Sequence, residues 1–420
     1  QAVCIGTFLA SFDIGSHAVF LDTFQTDQIP LAFILSGLFG FVIMSLYTFF
    51  SSRLPFRLFA IFNYLIIGTT TLFIFYFAEF HELMKLTAFG YPLMMPFTLM
   101  FPINIIVLLS FWHSINNIYV QKQSKRILPH IQVSHIGGMV LGSWGIILFL
   151  FQSWNLELIF LGSAASIFIA LFLQFLINPI HKYSKIFIHQ ARKLNPIRSK
   201  FYEFFYAKYT FLLVLFVFLS ALIGMIIHYD FISMTRDSYP MIIGFAKFLG
   251  LFTGTLFIFI YGINRFLIRK ILYSYDSPYS IILVPIGMVI MGIITSVAYL
   301  FLGYTFAVFR FTFFFLLVAA VKAGYETLKN TVELPSLRVL YHTLDIRFHR
   351  VVIPRLEGSF RLFSMIFAGL ALIGLIELNF YKYNYLLYIV IALSLLWLFI
   401  AIKLIKAYKA ALKNSIKKIK

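Results

Sequence analysis

Long apolar segments recur along the whole chain and are separated by short polar stretches. At about 20 residues, each segment is long enough to cross a bilayer as an α-helix. The pattern predicts twelve membrane-spanning helices, which we call spans 1 to 12. In chain order they cover residues 2–21, 31–51, 57–78, 87–114, 129–151, 156–178, 209–232, 241–262, 280–302, 305–328, 353–377 and 383–405.

The charges of the connecting loops alternate along the chain and support this count. Acidic, mixed or uncharged loops follow the odd-numbered spans, whereas Lys and Arg dominate the loops that follow the even-numbered spans. Because basic loops remain on the cytoplasmic side, we expect the even-numbered loops and both termini in the cytoplasm. The predicted location is the cytoplasmic (inner) membrane, with multiple passes.

The spans fall into two groups of six. The longest and most basic loop, residues 179–208, separates them, and the short basic stretches SSRLPFR (51–57) and GINRFLIRK (262–270) occupy equivalent places in the two groups. This layout predicts an all-α integral membrane protein of the 6+6 major facilitator type. The predicted domains are bundles at 1–178 and 209–405, a linker at 179–208 and a basic cytoplasmic tail helix at 406–420.

Composition excludes several classes of protein. The chain is 61% hydrophobic and 12% charged, about half the charged fraction that a soluble domain carries. The net charge of +19 lies mainly in loops, so it predicts anchoring at membrane lipids and no nucleic-acid partner. The single Cys4 excludes an internal disulfide. The chain contains no motif for a nucleotide-binding loop, a hydrolase or a metal site, so we expect no enzyme activity and no cofactor.

Charged residues inside spans require an explanation, because a charge at the bilayer centre costs about 2.5–3.5 kcal/mol. Asp13 lies near the middle of span 1, and His17 follows four residues later on the same face. We expect them to couple or gate transport from a cavity. The alternative is a hydrogen-bonded pair that only holds helices together.

Span 10 carries two further groups of this kind. Arg310 lies in its outer part, where it either reaches the interface or approaches the central cavity that spans 1, 4, 7 and 10 line in a major facilitator arrangement. Lys322 and Glu326 are four residues apart and are expected to pair near the cytoplasmic end of the span.

Spans 4 and 8 each add one candidate. Asn104 follows Pro102 in a proline-rich span, where it could donate to a substrate or to a freed carbonyl group. Lys247 lies a third of the way into span 8, between glycines. It is either a cation for the substrate or an anchor at the interface.

The start of span 11 is unusually charged. Glu357 and Arg361 are spaced to pair, which leaves Arg355 as a surplus cation. Together with Lys322 and Arg338, this predicts a positive vestibule that attracts anions, because Arg can bind a phosphate through two hydrogen bonds. A cytoplasmic gate made of salt bridges is the alternative, and the two roles can coexist.

The segment 323–375 contains Tyr341, Leu344 and Asp345, then Arg347, His349 and Arg350, then Glu357 and Gly358. In these features it resembles the ATP/ADP antiporters of obligate intracellular bacteria and plastids, together with their bacterial relatives in which a facilitator-like domain precedes helical repeats. The passage at 110–142 is also similar. The resemblance implies a nucleotide or phosphorylated metabolite as substrate, and a cytoplasmic repeat or regulatory domain beyond the tail. Span 1 departs from the family pattern because it has no lysine.

The function that these features predict is secondary transport of a small organic anion by alternating access. The expected substrate contacts are Arg310, Lys247, Arg355, Asn104 and Lys322, and the expected coupling or gating residues are Asp13, His17, Glu357, Arg361 and Glu326. Two alternatives stay open. One is a non-transporting anchor or sensor for a cytoplasmic partner, and the other is a transporter of lipid-like amphiphiles, which the 53 Phe and 24 Tyr residues suggest.

Overall fold

The computed structural model describes residues 1–54, 56–79, 94–118, 121–152, 155–177, 208–264, 278–302, 307–308, 311–341, 355–378 and 383–419. Within these ranges the chain is almost entirely helical. The first six helices are α1 (Ala2–Thr23), α2 (Ile29–Arg53), α3 (Phe56–Glu79), α4 (Met95–Ile118), α5 (Gln121–Phe151) and α6 (Leu158–Ile177).

The remaining helices follow in the same manner. They are α7 (Lys208–Ser238), α8 (Ile242–Ile263), α9 (Leu283–Leu302), α10 (Phe313–Leu328), α11 (Leu334–Tyr341), α12 (Phe360–Glu377) and α13 (Tyr383–Ile419). A π-helical turn, Lys329–Glu333, joins α10 to α11, and a second one, Arg355–Ser359, precedes α12. The only strands in the described residues form a two-residue hairpin, in which Ala307 pairs with Thr312 and Val308 with Phe311.

Eleven helices of the described residues are long and apolar enough to cross a membrane. The predicted all-α membrane class is therefore confirmed. Their outer faces carry large apolar side chains, such as Leu148 at 70% and Phe301 at 84% exposed. A surface of this kind is stable only against lipid.

Contacts divide the chain into two compact units. Unit 1 comprises Gln1–Gln28, Leu35–Lys193 and Tyr239–Tyr261, and unit 2 comprises Ile29–Ile34, Leu194–Ser238 and Gly262–Lys420. In unit 1, α1 packs on α4, α5 and α6, while α3 packs on α4 and α6. In unit 2, α7 packs on α10, α12 and α13, and α9 packs on α10 and α13. The predicted domain boundaries stay a prediction.

Glycines explain why α8 belongs to unit 1 and the first turn of α2 to unit 2. A Cβ atom on Gly250 of α8 would lie 2.8 Å from the carbonyl oxygen of Ser143 on α5. A Cβ atom on Gly369 of α12 would lie 2.5 Å from the carbonyl oxygen of Pro30. In both places the missing side chain allows two helix backbones to approach closely.

The helix bounds correct three predictions. Span 10 was predicted to begin at residue 305, but α10 begins at Phe313 and the helical path continues through the π-turn to Tyr341. Span 7 was predicted to end at 232, but α7 continues to Ser238. The tail predicted as a separate helix continues α13 without a break.

The contact between α1 and α5 brings two helix backbones close together in unit 1. A Cβ atom on Gly6 would collide with the carbonyl oxygen of His135, and one on Gly138 would collide with that of Val3. Across the same contact, Thr7 donates a hydrogen bond of 3.1 Å to the carbonyl oxygen of Gly138. Each helix therefore requires glycine on the face that meets the other.

We predict that Gly138→Ala lowers the free energy of unfolding by about 1–3 kcal/mol, because the two backbones must separate to admit a methyl group. The adjacent Gly137 has open space at its Cβ position, so Gly137→Ala is the matched control and is expected to change stability by about 0.5 kcal/mol or less. Thermal unfolding of the purified protein in detergent measures both. Equal unfolding temperatures for the two variants would contradict the close contact.

Candidate functional site

A stripe of charged side chains follows the helical path from α10 into the π-turn. Lys322 Nζ lies 2.9 Å from Glu326 Oε1, and Lys329 Nζ lies 3.9 Å from Glu326 Oε2. Glu333, at the end of the π-turn, is 0% exposed, whereas the side chains of Lys322 and Glu326 are 12% and 23% exposed. Four ionisable groups therefore occupy one continuous helical path in unit 2.

The π-turn shapes this stripe. A π-turn inserts an extra residue into a helix, breaks the regular ladder of hydrogen bonds, and is common at functional sites. Asn330, inside the turn, donates through Nδ2 to the carbonyl oxygen of Glu326 at 2.8 Å. The Asn330 side chain thereby supplies a hydrogen bond to a backbone carbonyl group where the regular α-helical hydrogen bonds are interrupted.

Glu333 is held by α7. The hydroxyl group of Ser220 lies 2.8 Å from both carboxylate oxygens of Glu333, so its single proton is donated between them. Tyr325 donates from its OH group to the backbone carbonyl oxygen of Ser220 at 2.9 Å. Gly224 leaves room for the Tyr325 ring, since a Cβ atom there would collide with the Tyr325 hydroxyl group. These contacts fix the carboxylate against α7.

Arg361 of α12 completes the cluster. Its guanidinium charge interacts most strongly with Glu333 and next with Glu357. Glu357 lies four residues before Arg361 and is the partner that the sequence predicts, and this pairing stays a prediction.

We call Lys322, Glu326, Lys329, Glu333, Glu357 and Arg361 the charged cluster, in which three cations balance three carboxylates. Arg355 is half-buried at the start of the π-turn that carries Glu357 and adds a further cation there. Because these groups lie among apolar helices, a bound anion would be attracted strongly and would find Lys and Arg donors.

The structure modifies the expected pair in α1. His17 is 1% exposed, and its Nδ1 atom bonds to the backbone carbonyl oxygen of Asp13 at 2.8 Å. The Asp13 carboxylate lies 3.9 Å away and its side chain is 38% exposed. The ring of His17 also packs edge-on against Phe97 of α4, with 5.1 Å between ring centroids. His17 is thus anchored in the packing, while the carboxylate points to a more open place.

The other predicted residues take separate positions. Asn104 of α4 has a buried Oδ1 atom without a hydrogen-bond partner among the described residues. Lys247 of α8 places its ammonium group 4.3 Å from the ring centroid of Phe151, near the ends of both helices. Arg310 lies outside the described residues. Asp13, His17, Asn104 and Lys247 therefore belong to unit 1, whereas Lys322, Glu326, Arg355, Glu357 and Arg361 belong to unit 2.

Glu333, Lys329, Ser220 and Tyr325 were missed in the sequence. The spacing of charges at 322, 326, 329 and 333 repeats at three and four residues and could have shown that the helix continues beyond 328. We interpreted the polar run that begins at Lys329 as the start of a loop.

We predict that Ser220→Ala lowers the free energy of unfolding by about 1–3 kcal/mol, because it removes a hydrogen-bond donor from a buried carboxylate. Ser166→Ala is the matched control, since Ser166 is half-buried and its hydroxyl group bonds to a carbonyl oxygen of its own helix. Ser220→Thr retains the hydroxyl group and should recover stability. Thermal unfolding in detergent compares the three, and a Ser220→Ala protein as stable as wild type would show that the contact is unimportant.

No protein-family model and no curated protein sequence matches the chain. Solved structures do match over nearly their whole length. A POT family transporter in complex with 5-aminolevulinic acid is 13% identical, with a TM-score of 0.63 and 96% of each chain covered. The nucleoside transporter NupG, as a D323A mutant, is 14% identical, with a TM-score of 0.58 and 98% of each chain covered.

A third structure gives the fold its name. The major facilitator superfamily proton:xylose symporter XylE, bound to a glucose derivative, is 13% identical with a TM-score of 0.61, and 95% of this chain and 93% of that chain are covered. At such low identity the likeness establishes the fold alone. The chain therefore has the all-helical major facilitator fold that its pattern of spans predicts.

Proposed function

We propose that the protein is a secondary transporter that carries a small organic anion across the membrane by alternating access. The observation that carries this proposal is the charged cluster. Apolar spans rarely contain ionisable residues unless these serve transport or pair with one another. Here six such groups lie on two helical paths of one unit, each interrupted by a π-turn, and Arg355 adds a positive charge on the second path.

The chemistry of the cluster favours an anion. Lys322 and Lys329 flank Glu326, and Arg361 lies in the field of Glu333. A substrate with carboxylate or phosphate oxygens offers these cations the same kind of partner that they already have. Binding would then exchange internal ion pairs for pairs with the substrate, without leaving a buried charge alone.

The same exchange suggests how the transporter could open and close. An ion pair that breaks when the substrate leaves must form again elsewhere, because a single buried charge is costly. We assign Lys322, Lys329 and Arg361 to substrate contact, with Arg355 at the entrance, and Glu326, Glu333 and Glu357 to gating. Arg310, Lys247 and Asn104 remain candidates for substrate contact, and Asp13 and His17 remain candidates for coupling.

A nucleotide or phosphorylated metabolite is the substrate class that we favour. It rests on the resemblance of segment 323–375 to ATP/ADP antiporters, and the cluster residues Glu326, Glu333 and Arg361 lie in that segment. The matching structures include a transporter described as a nucleoside carrier and one holding 5-aminolevulinic acid, which bears a carboxylate. Arg and Lys together suit phosphate oxygens.

We also retain the predicted setting of the protein. The basic loops favour the cytoplasmic membrane with both termini in the cytoplasm. The two six-helix bundles would be 1–178 and 209–405. The continuation of α13 to Ile419 would present a basic helix beyond the membrane, suited to lipid head groups or to a following repeat or regulatory domain.

We predict that one anion from a panel of nucleotides, phosphorylated metabolites and carboxylates raises the unfolding temperature, and that Lys322→Met weakens its apparent affinity about 10- to 100-fold. A charge-assisted hydrogen bond contributes about 1.5–3 kcal/mol, which corresponds to that range. Thermal unfolding against ligand concentration measures the affinity. Uptake of the same anion into proteoliposomes tests transport.

Lys403→Met is the matched control, because Lys403 is an exposed cation of α13 that lies against the ring of Phe399 at 4.1 Å. It should leave the affinity unchanged. The double variant Lys322→Met with Glu326→Gln removes both charges of the pair and guards against loss of folding through a weakened set of partners for Glu326. Stabilisation by lysophospholipids alone would contradict the proposal. An apparent affinity that neither Lys322 variant changes would also contradict it.

A further inference from the structure

Asp230 is a buried acid outside the charged cluster. It lies in α7, eight residues before the end of the helix at Ser238, which is about 12 Å along the axis. Its exposure is 4%, and the seven consecutive residues Tyr229–Thr235 are all buried. An aspartate side chain is too short to reach water from this depth, so the carboxyl group stays in an apolar environment.

This carboxyl group has no partner in the described part of the chain. Its Oδ1 atom is buried without a hydrogen bond, and no charged residue there acts on it. The elements packed against α7 carry charged groups, but none of them acts on the Asp230 carboxyl group. They include Lys322, Glu326, Lys329, Glu333 and Arg338 on the α10 path, Arg355 and Glu357 in the π-turn before α12, Arg361 and Glu377 on α12, and Lys403, Lys406 and Lys409 on α13. The helix α7 itself adds His228, Arg236 and Asp237.

Ser233 adds a second polar atom to the same face. It follows Asp230 by three residues, so the two side chains point to neighbouring positions on the helix surface. The Oγ atom of Ser233 is also buried without a hydrogen-bond partner among the described residues. Two unpartnered oxygen-bearing side chains on one buried helix face mark a place for a small polar ligand, because native structures rarely leave such groups unused.

We propose that Asp230, with Ser233 beside it, is a proton-binding site in α7 that is occupied at neutral pH and exchanges its proton during transport. The Asp230 carboxyl group is better suited to bind a proton than a metal ion. A metal ion requires several oxygen ligands, whereas the described residues contain no group of three or more His, Cys, Asp or Glu that could hold one. A single proton makes the carboxyl group neutral, which removes the cost of an unpaired charge.

The site is tested first without any substrate. Infrared difference spectroscopy of the full chain in lipid nanodiscs at pH 7 compares wild type with Asp230→Asn. The expected result is a carbonyl band of a protonated carboxyl group that is present in wild type, shifts in heavy water and is lost in Asp230→Asn. Asp237→Asn is the matched control, because Asp237 is an exposed acid near the end of the same helix. It should retain the band.

Absence of a difference band between wild type and Asp230→Asn would overturn the proton site. If Asp230→Asn does not fold, Asp230→Glu replaces it, and a protonated carboxyl band at a changed position supports the site while an unchanged band overturns it. This measurement involves no anion, so it succeeds or fails independently of the proposed transport function.

The exchange of the proton rests on the proposed function and is tested in proteoliposomes. For an anion found in the stabilisation panel, a pH gradient should drive accumulation by wild type. In Asp230→Asn, accumulation should fall to the level seen without a gradient, while exchange of internal for external anion continues. If wild type accumulates the anion to the same level with and without the pH gradient, the coupling role is overturned, even where the infrared band is present.

Discussion

The cost of an unpaired charge away from water is the constraint on which this structure depends. Most of the chain meets it with apolar spans, but the α10 path places Glu326 and Glu333 among apolar helices. Each carboxylate has partners: Lys322 and Lys329 for Glu326, and Ser220 with the charge of Arg361 for Glu333. Removing one member would leave another buried charge without its partner. A bound anion would therefore change which groups of the cluster pair with one another.

Close backbone packing supplies the rigid frame that such a cluster requires. Lipid tails are as apolar as the side chains that they surround, so transmembrane helices gain little from apolar contact with one another. They associate through small residues and hydrogen bonds. The α1–α5 contact at Gly6 and Gly138, with the Thr7 hydrogen bond across it, is an example in unit 1. In unit 2, Gly224 admits Tyr325, whose hydroxyl group then bonds to α7 beside Glu333. The glycine thus couples helix packing directly to the placement of the site.

Hydrophobic periodicity was sufficient to predict the fold, because membrane spans are long and their loops alternate in charge. The Lys322–Glu326 pair also followed from its spacing, and the structure forms it at 2.9 Å. The continuation of α10 through Glu333 did not follow, because a polar run after an apolar span resembles a loop. Lipid-facing and protein-facing residues are both apolar in a membrane protein, so hydropathy cannot distinguish a charge buried by protein from a charge at a helix end.

Two acids meet α7 in different surroundings. Ser220 donates to Glu333, and the charge of Arg361 acts on the same carboxyl group. Asp230 lies ten residues further along α7, about 15 Å away along the axis, with no cation among the described residues acting on it. The same burial therefore favours the neutral acid there. In the transport cycle that we propose, a movement of α7 would change the surroundings of both groups together and would thereby link anion binding to proton exchange.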